Sequence, residues 1–451
     1  MKQFASKYAA RFASFVLVGL ITVISVFTTS AAYAQLNGQS NTQTRDEEIE
    51  ALKARIQKLE QDAAKPSDSA AEITKLQLEL QLPDPLGAGF TGLGPAASKV
   101  YTSKSPLSLG ALAEARFVSE TSEESEASLS AANIFFGARL SNWLIFNGSY
   151  SLQSRTPNNV NNTHVQFAYV DFLLGDEAGI RAGNFLIPFG VTNLRFEPTL
   201  YPMVNRPRAE RMIIPTDWNE NGILGFYRVG PVVVQAGVVN GGDIGTAQPV
   251  SWIREGRQGA NGARSESLGY FARVETAARR ANSGRPSPFI GASIYSGSWA
   301  QGEDERFGDA NVLLAEVHAG GTWKRLRADV LYTEGTLSDA GRVSTALTRA
   351  IGSKARGATA TLQYNLLSSE RAKARSLYHE LPIFVAYEIA DAQSEVASGF
   401  TKQDDSRIAS WTFGMNYLPH EQVVVKANYV LAYDRQERES RAFETAIGIT
   451  F

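Results

Sequence analysis

The fold class predicted for this chain is all-β: a 16-stranded antiparallel transmembrane β-barrel with a short N-terminal coiled-coil helix. Three observations predict it. From residue 111 onward apolar and polar residues alternate with period two, the mark of strands with two unlike faces. The connections between these segments alternate between short turns and long polar loops. After residue 34 no run reaches the ~20 apolar residues of a spanning helix, so a membrane passage would have to be built from strands.

Composition narrows the function classes. The 451 residues contain no cysteine, which excludes a disulfide framework and a thiolate metal site. Only four histidines occur, His164, His318, His379 and His420. The 38 glycines, 23 phenylalanines and 16 tyrosines suit strands and tight turns better than a helix bundle. A formal net charge of −2 offers no basic excess for gripping nucleic acid. No cofactor and no metal are expected.

Residues 1–34 read as a secretory leader. Lys2, Lys7 and Arg11 precede an apolar stretch from Phe12 to Phe27, and Ala32-Tyr33-Ala34 supplies small residues for cleavage. An uncleaved anchor is the alternative. Residues 35–82 form a coiled-coil segment, expected to be periplasmic. Within 45–62, Ile49, Leu52, Ile56 and Leu59 repeat at three, four and three, an a/d seam with charged flanks. Pro66 ends it, and a second amphipathic piece carries Ile73, Leu76 and Leu80 up to Pro83. The seam fits either an oligomerising coil or a solvated single helix. Residues 83–110, rich in Pro, Gly and Ser, read as an irregular linker able to enter a barrel lumen.

The barrel is expected over 111–451. In 421–434, Val423, Val425, Ala427, Tyr429, Leu431 and Tyr433 share a face opposite Lys426 and Asn428. In 322–334, Leu326, Ala328, Val330 and Tyr332 oppose Arg325, Arg327 and Asp329. In 143–153, Leu144, Phe146, Tyr150 and Leu152 oppose Asn147, Ser149 and Ser151. Sixteen such segments are expected, at 111–118, 131–140, 143–153, 164–174, 178–185, 222–229, 231–240, 266–277, 287–297, 311–320, 322–334, 355–367, 381–392, 407–417, 421–434 and 441–451. Short turns fall at Ser141-Asn142, 175–177, Gly230, Gly320-Gly321 and Leu418-Pro419-His420, and two further short-side connections, 278–286 and 368–380, are longer than ideal. At the end, Phe443, Thr445, Ile447, Ile449 and Phe451 alternate up to a terminal aromatic, as a closing strand would.

Sixteen strands enclose a lumen too wide to select small solutes unless something narrows it. The longest connection, 186–221, is the third long loop. Its five prolines and large apolar groups suit an ordered loop packed against a surface. It also carries Arg195, Arg206, Arg208 and Arg211 against Glu197, Glu210, Asp217 and Glu220. Each loop arginine could instead form a local ion pair that orders the loop.

The stretch 180–221, with RAGNFLIPFG followed by NRPRAERMIIPTDWNENG, resembles the phosphate-selective porin O/P-type family. The N-terminal coil resembles that of trimeric dicarboxylate-channel-type porins. The likeness is loose over 110–451 and sharp in 180–240. It implies sixteen strands per channel, three associated channels, and a third loop folded inward, with arginines and lysines guiding anions. Carried over, Arg206, Arg208 and Arg211 become eyelet candidates, with Arg181 on the facing wall. Arg195 on the same loop and Arg325, Arg327 and Lys426 on the wall complete the pore set.

The inward charges temper this. Arg116, Arg139, Arg181, Arg273, Arg325, Arg327 and Lys426 face Glu114, Asp171, Glu275, Glu316, Asp329, Glu388 and Glu444, so the wall is not a uniformly basic funnel. Catalysis finds little support. His164 and Asp171 fall on opposite faces, His318 shares a face with Glu316 but no nucleophile is apparent, and His379 and His420 fall in turns. The expected function is an outer-membrane porin for passive diffusion of small hydrophilic solutes, a homotrimer set in outer-membrane lipid, with anion preference as a further implication. An outer-membrane anchor that tethers the coil to the cell wall or a partner is the alternative.

Overall fold

The computed structural model describes residues 92–103, 105–121, 124–153, 162–175, 177–277, 288–367 and 380–451. The leader, the coiled-coil segment and His379 lie outside these residues, as do most of the two long short-side connections. After a short helix α1 (Lys99–Thr102), the chain forms β1 (Leu107–Glu120), β2 (Glu126–Ser141), β3 (Leu144–Gln153), β4 (Asn162–Leu173) and β5 (Ala178–Leu186). A second short helix, α2 (Arg208–Met212), precedes β6 (Asn219–Val229), β7 (Val232–Asn240), β8 (Leu268–Ala277) and β9 (Phe289–Ser298). Then come β10 (Asn311–Trp323), β11 (Leu326–Leu337), β12 (Gly352–Asn365) and β13 (Pro382–Val396). The last are β14 (Arg407–His420), β15 (Val423–Tyr433) and β16 (Glu439–Thr450).

These sixteen strands close on themselves, each antiparallel to its sequence neighbours, with β1 pairing β16 from Leu112↔Thr450 to Glu120↔Ala442. Closure leaves no open edge. The alternating residues behave as their chemistry requires. On β9 and β10 the apolar Ile290, Ile294, Leu313 and Val317 are exposed on the outside, while Ser293, Glu316 and His318 are buried inside. On β15 Val425 and Tyr429 face out and Lys426 and Asn428 face in. Exposed aromatics, Trp143, Tyr227, Trp323 and Tyr364, stand at the short-turn rim, where amphipathic rings suit a membrane–water boundary. A closed barrel with apolar side chains outside and polar ones inside is the architecture of a bacterial outer-membrane protein.

Each expected segment coincides with a strand, with one junction displaced. The turn between β10 and β11 is not at Gly320-Gly321. It lies at Lys324-Arg325, where Lys324 takes a positive φ of 54°. Gly320 pairs with Asp329 inside the ladder, and a side chain there would collide with the Phe289 ring and the Asp329 carboxylate. Glycine at 320 makes room for neighbours instead of making a turn. His420 similarly ends β14 rather than sitting in the turn, pairing with Val423. Gly230 does form its turn, with φ of 57° and β6 and β7 on either side.

Placing a charge on the lipid face tests the inversion of polarity. Val317→Arg, at the middle of β10 and outward, is expected to lower stability by about 2–4 kcal/mol. Denaturant unfolding of the protein folded in lipid vesicles measures this.

Candidate pore constriction

Residues 187–218, between β5 and β6, cross the barrel interior. Asn193 fixes the base of the loop. Its side-chain amide donates to the carbonyls of Ile187 and Trp218 and its oxygen accepts from the Trp218 N–H. Glu210 on α2 turns back to accept from the backbone N–H groups of Val191 and Thr192, both at 2.7 Å. Burial pushes its carboxyl up, against those two hydrogen bonds, which favour the charged form.

The loop is tied to walls on many sides. Arg273 on β8 donates to the Gly190 carbonyl. Asn416 on β14 donates to Pro202 O, Val204 N–H donates to Asn428 on β15, and Asn205 donates to Glu444 on β16. The Arg208 N–H donates to Glu388 on β13 at 2.6 Å. Gln166 on β4 donates to Asp217 at 3.1 Å from the opposite wall. A bulge in the β3–β4 pairing turns both Gln166 and Phe167 inward.

The eight expected pore residues separate into groups. Arg181 makes a two-pronged pair with Asp171, at 2.8 and 2.9 Å, and lies over the Tyr169 ring. Arg195 pairs with Glu275 at 2.5 Å. Lys426 donates to Met203 O at 2.9 Å, lies 3.5 Å from Glu114 and stacks on the Tyr201 ring. Arg327 is paired with Asp329 on its own strand. Each of these four has its charge matched. Arg325, expected on the wall, is exposed in the β10–β11 turn, because the displaced turn takes it out of the strand. Arg208 points toward β14, donating to Ser410.

Arg206 and Arg211 differ. Together with Arg116 on β1 and Arg254 from the loop 241–267 they line a cavity of about 310 Å³, whose acidic residues are Glu114 and Asp217. Four guanidinium groups therefore meet two carboxylates. Arg206 spends one nitrogen on Asp217 at 2.9 Å, and its other terminal nitrogen is buried without a partner. Arg211 donates its Nε to the Arg206 carbonyl. Burial, with the like charge of Arg208 beside it, pulls its guanidinium down to about 10. Arg116 reaches the neutral groups Asn205 and Ser128. Arg254 approaches Glu255 only loosely, through its Nε at 3.7 Å, which makes no hydrogen bond. Burial lowers its affinity for its proton as well. An anion entering the cavity would relieve each of these.

Sequence reasoning placed Arg116 inward but outside the pore set, and it missed Arg254. The signal for Arg254 was weak, an Ile-Arg-Glu-Gly-Arg run in a long loop whose Trp252 and Ile253 prove fully buried. His318, which shares a face with Glu316, contacts Glu316, Glu275 and Arg273. The Ser293 hydroxyl donates to Glu316 at 2.5 Å rather than to the histidine, so this cluster braces β8–β10 and, through Arg195, the loop.

Glu197 faces away from the cavity, toward the segment before β1. Its Oε1 accepts from the N–H groups of Ala96 and Ala97, at 2.9 and 3.1 Å, and its Oε2 is buried without a partner. Burial pushes the carboxyl from its ordinary 4.5 up to about 7. The native protein therefore holds a proton that the unfolded chain releases. This stabilisation is complete below pH 4.5 and is lost as pH rises through about 7. Glu197→Gln is expected to flatten that loss, by up to roughly 3 kcal/mol. Denaturant unfolding of both proteins at acidic and mildly alkaline pH checks it.

No protein-family model matches the chain. A protein of Aquifex aeolicus (strain VF5), described as uncharacterized, is 29% identical over 391 residues, which is 83% of this chain and 86% of its own length. Among solved structures, the outer membrane channel DcaP of Acinetobacter baumannii gives a TM-score of 0.49 at 9% identity, covering 76% of this chain and 97% of that one. OmpF of Salmonella typhi gives 0.49 at 12% identity, with the same coverage. OmpT of Vibrio cholerae gives 0.47 at 10% identity, again over 76% of this chain and 97% of its own.

Proposed function

We propose that this outer-membrane barrel is a porin through which small hydrophilic solutes diffuse passively, with a preference for anions. The observation that carries the reading is the cavity between the third loop and the β1–β4 wall, where Arg116, Arg206, Arg211 and Arg254 outnumber Glu114 and Asp217. Elsewhere the inward cations Arg181, Arg195, Arg327 and Lys426 are each matched by a carboxylate, so they add little positive potential of their own. A local excess of partly buried guanidinium groups attracts carboxylate- or phosphate-bearing solutes and repels cations. The resemblance of residues 180–221 to phosphate-selective porins supports the same direction, and homotrimeric assembly is proposed on that resemblance.

Planar-bilayer recording tests the reading. Reversal potentials across a salt gradient are expected to show anion selectivity, and conductance is expected to rise in triplets. Replacing Arg116 and Arg211 together by alanine should lower the anion-to-cation permeability ratio by at least about twofold. An unchanged ratio would remove these residues from the constriction. A silent bilayer would favour the barrel as an anchor for the segment that precedes it.

A further inference from the structure

Inward positions of a conducting barrel are expected to be polar, because they face water. Toward the short-turn end of β1–β4 they are not. Leu112, Phe135, Ile145, Phe167 and Tyr169 all point inward and all are buried, at 3% exposure or less. Their cover is the segment before β1. Leu93, Ala96, Ala97, Val100 and Tyr101 pack against them in one apolar cluster. The fit is close, since a Cβ on Gly137 would fall 2.5 Å from the Val100 Cβ.

Polar groups fix the segment on three sides. Asn147 on β3 donates to Ala97 O at 2.9 Å, and Arg139 on β2 donates to Val100 O at 2.8 Å. The Tyr101 hydroxyl donates to Asp171 on β4 at 2.6 Å, completing the pair that Asp171 makes with Arg181 on β5. From above, Glu197 accepts from the Ala96 and Ala97 N–H groups. On the third loop Phe196 and Pro198 line the arginine cavity, and Glu197 between them grips the segment. The segment therefore lies directly beneath the cavity, on its route to the short-turn mouth.

We propose that residues 92–103 are a resident plug seated below the arginine cavity, and that solute passage through the cavity requires the plug to leave its seat. The gating half rests on the channel reading above; the seating half does not. Apolar wall residues that would otherwise meet water favour the seated state. The hydrogen bonds that hold it to the barrel and loop end on side chains and not on strand backbone, so it can leave without disturbing the strand ladder.

The chain has no cysteine, so one introduced thiol reports alone. In the full-length protein reconstituted in vesicles, Ser98→Cys probes the plug and Asn142→Cys probes the exposed β2–β3 turn. A water-soluble maleimide is expected to label Ser98→Cys at least about tenfold more slowly than Asn142→Cys. Adding Val100→Ser and Tyr101→Ala should bring the Ser98→Cys rate close to the control and raise single-channel conductance at least about twofold. Equal labelling at both sites in the otherwise unaltered chain overturns the plug, and that comparison does not depend on how the release variant folds. Faster labelling with unchanged conductance overturns the gating. The expected labelling pattern in a bilayer silent for every variant overturns the channel reading, and the gating with it, while the seat itself stands.

Discussion

In the core of a lipid bilayer no water is at hand to satisfy a backbone N–H or C=O, and each one left unpaired costs several kcal/mol. The pairing of β1 with β16 meets that requirement by removing the last two edges of the sheet. The rest of the structure depends on it. Once the ladder is closed, side chains can point only outward or inward, and lipid takes the apolar set. The barrel is then wide inside, and its polar inner wall needs either water or partners.

Much of the inner wall takes partners. The third loop reaches strands on opposite sides of the lumen through hydrogen bonds to Gln166, Glu388, Asn428 and Glu444. Charges that face inward are mostly matched, as in Arg181 with Asp171 and Arg195 with Glu275. Pairing of this kind positions the loop and adds little field of its own, because opposite charges in contact cancel at a distance. Beside the loop, Arg116 and Arg211 contact only neutral groups and Arg254 is only loosely paired, so positive charge is left over at the cavity. On the proposed channel reading, selectivity is what is left after structural pairing, not a property of the whole wall.

The strands were legible because each carries its own evidence. Period-two alternation is local, and a register error of one residue would turn a whole strand inside out. Turns were less secure. Gly320-Gly321 has the composition of a turn, yet both glycines lie in β10, and Lys324 accepts the left-handed conformation instead. The strand pairing beyond it, Trp323 with Leu326, outweighs the modest strain at one residue. That shift of a few residues was enough to move Arg325 from the wall to the solvent.

The sequence by itself determined the closed barrel, its sixteen strands, the face of most residues and the position of the long third loop, since these follow from alternation and spacing along the chain. The bulge in β4 breaks that alternation and brings His164 to the inner face with Asp171, not opposite it as expected. Only the tertiary structure decided which arginines are neutralised and which are not. Arg181 and Arg211 look alike in the sequence, but one finds Asp171 ten positions away across a strand pair with both oxygens in reach, and the other donates only to the Arg206 carbonyl. The same holds for residues 92–103. Their Pro-, Gly- and Ser-rich surroundings read as a linker, and only the inward rings of Phe135, Phe167 and Tyr169, brought together by strand pairing, give that linker a seat.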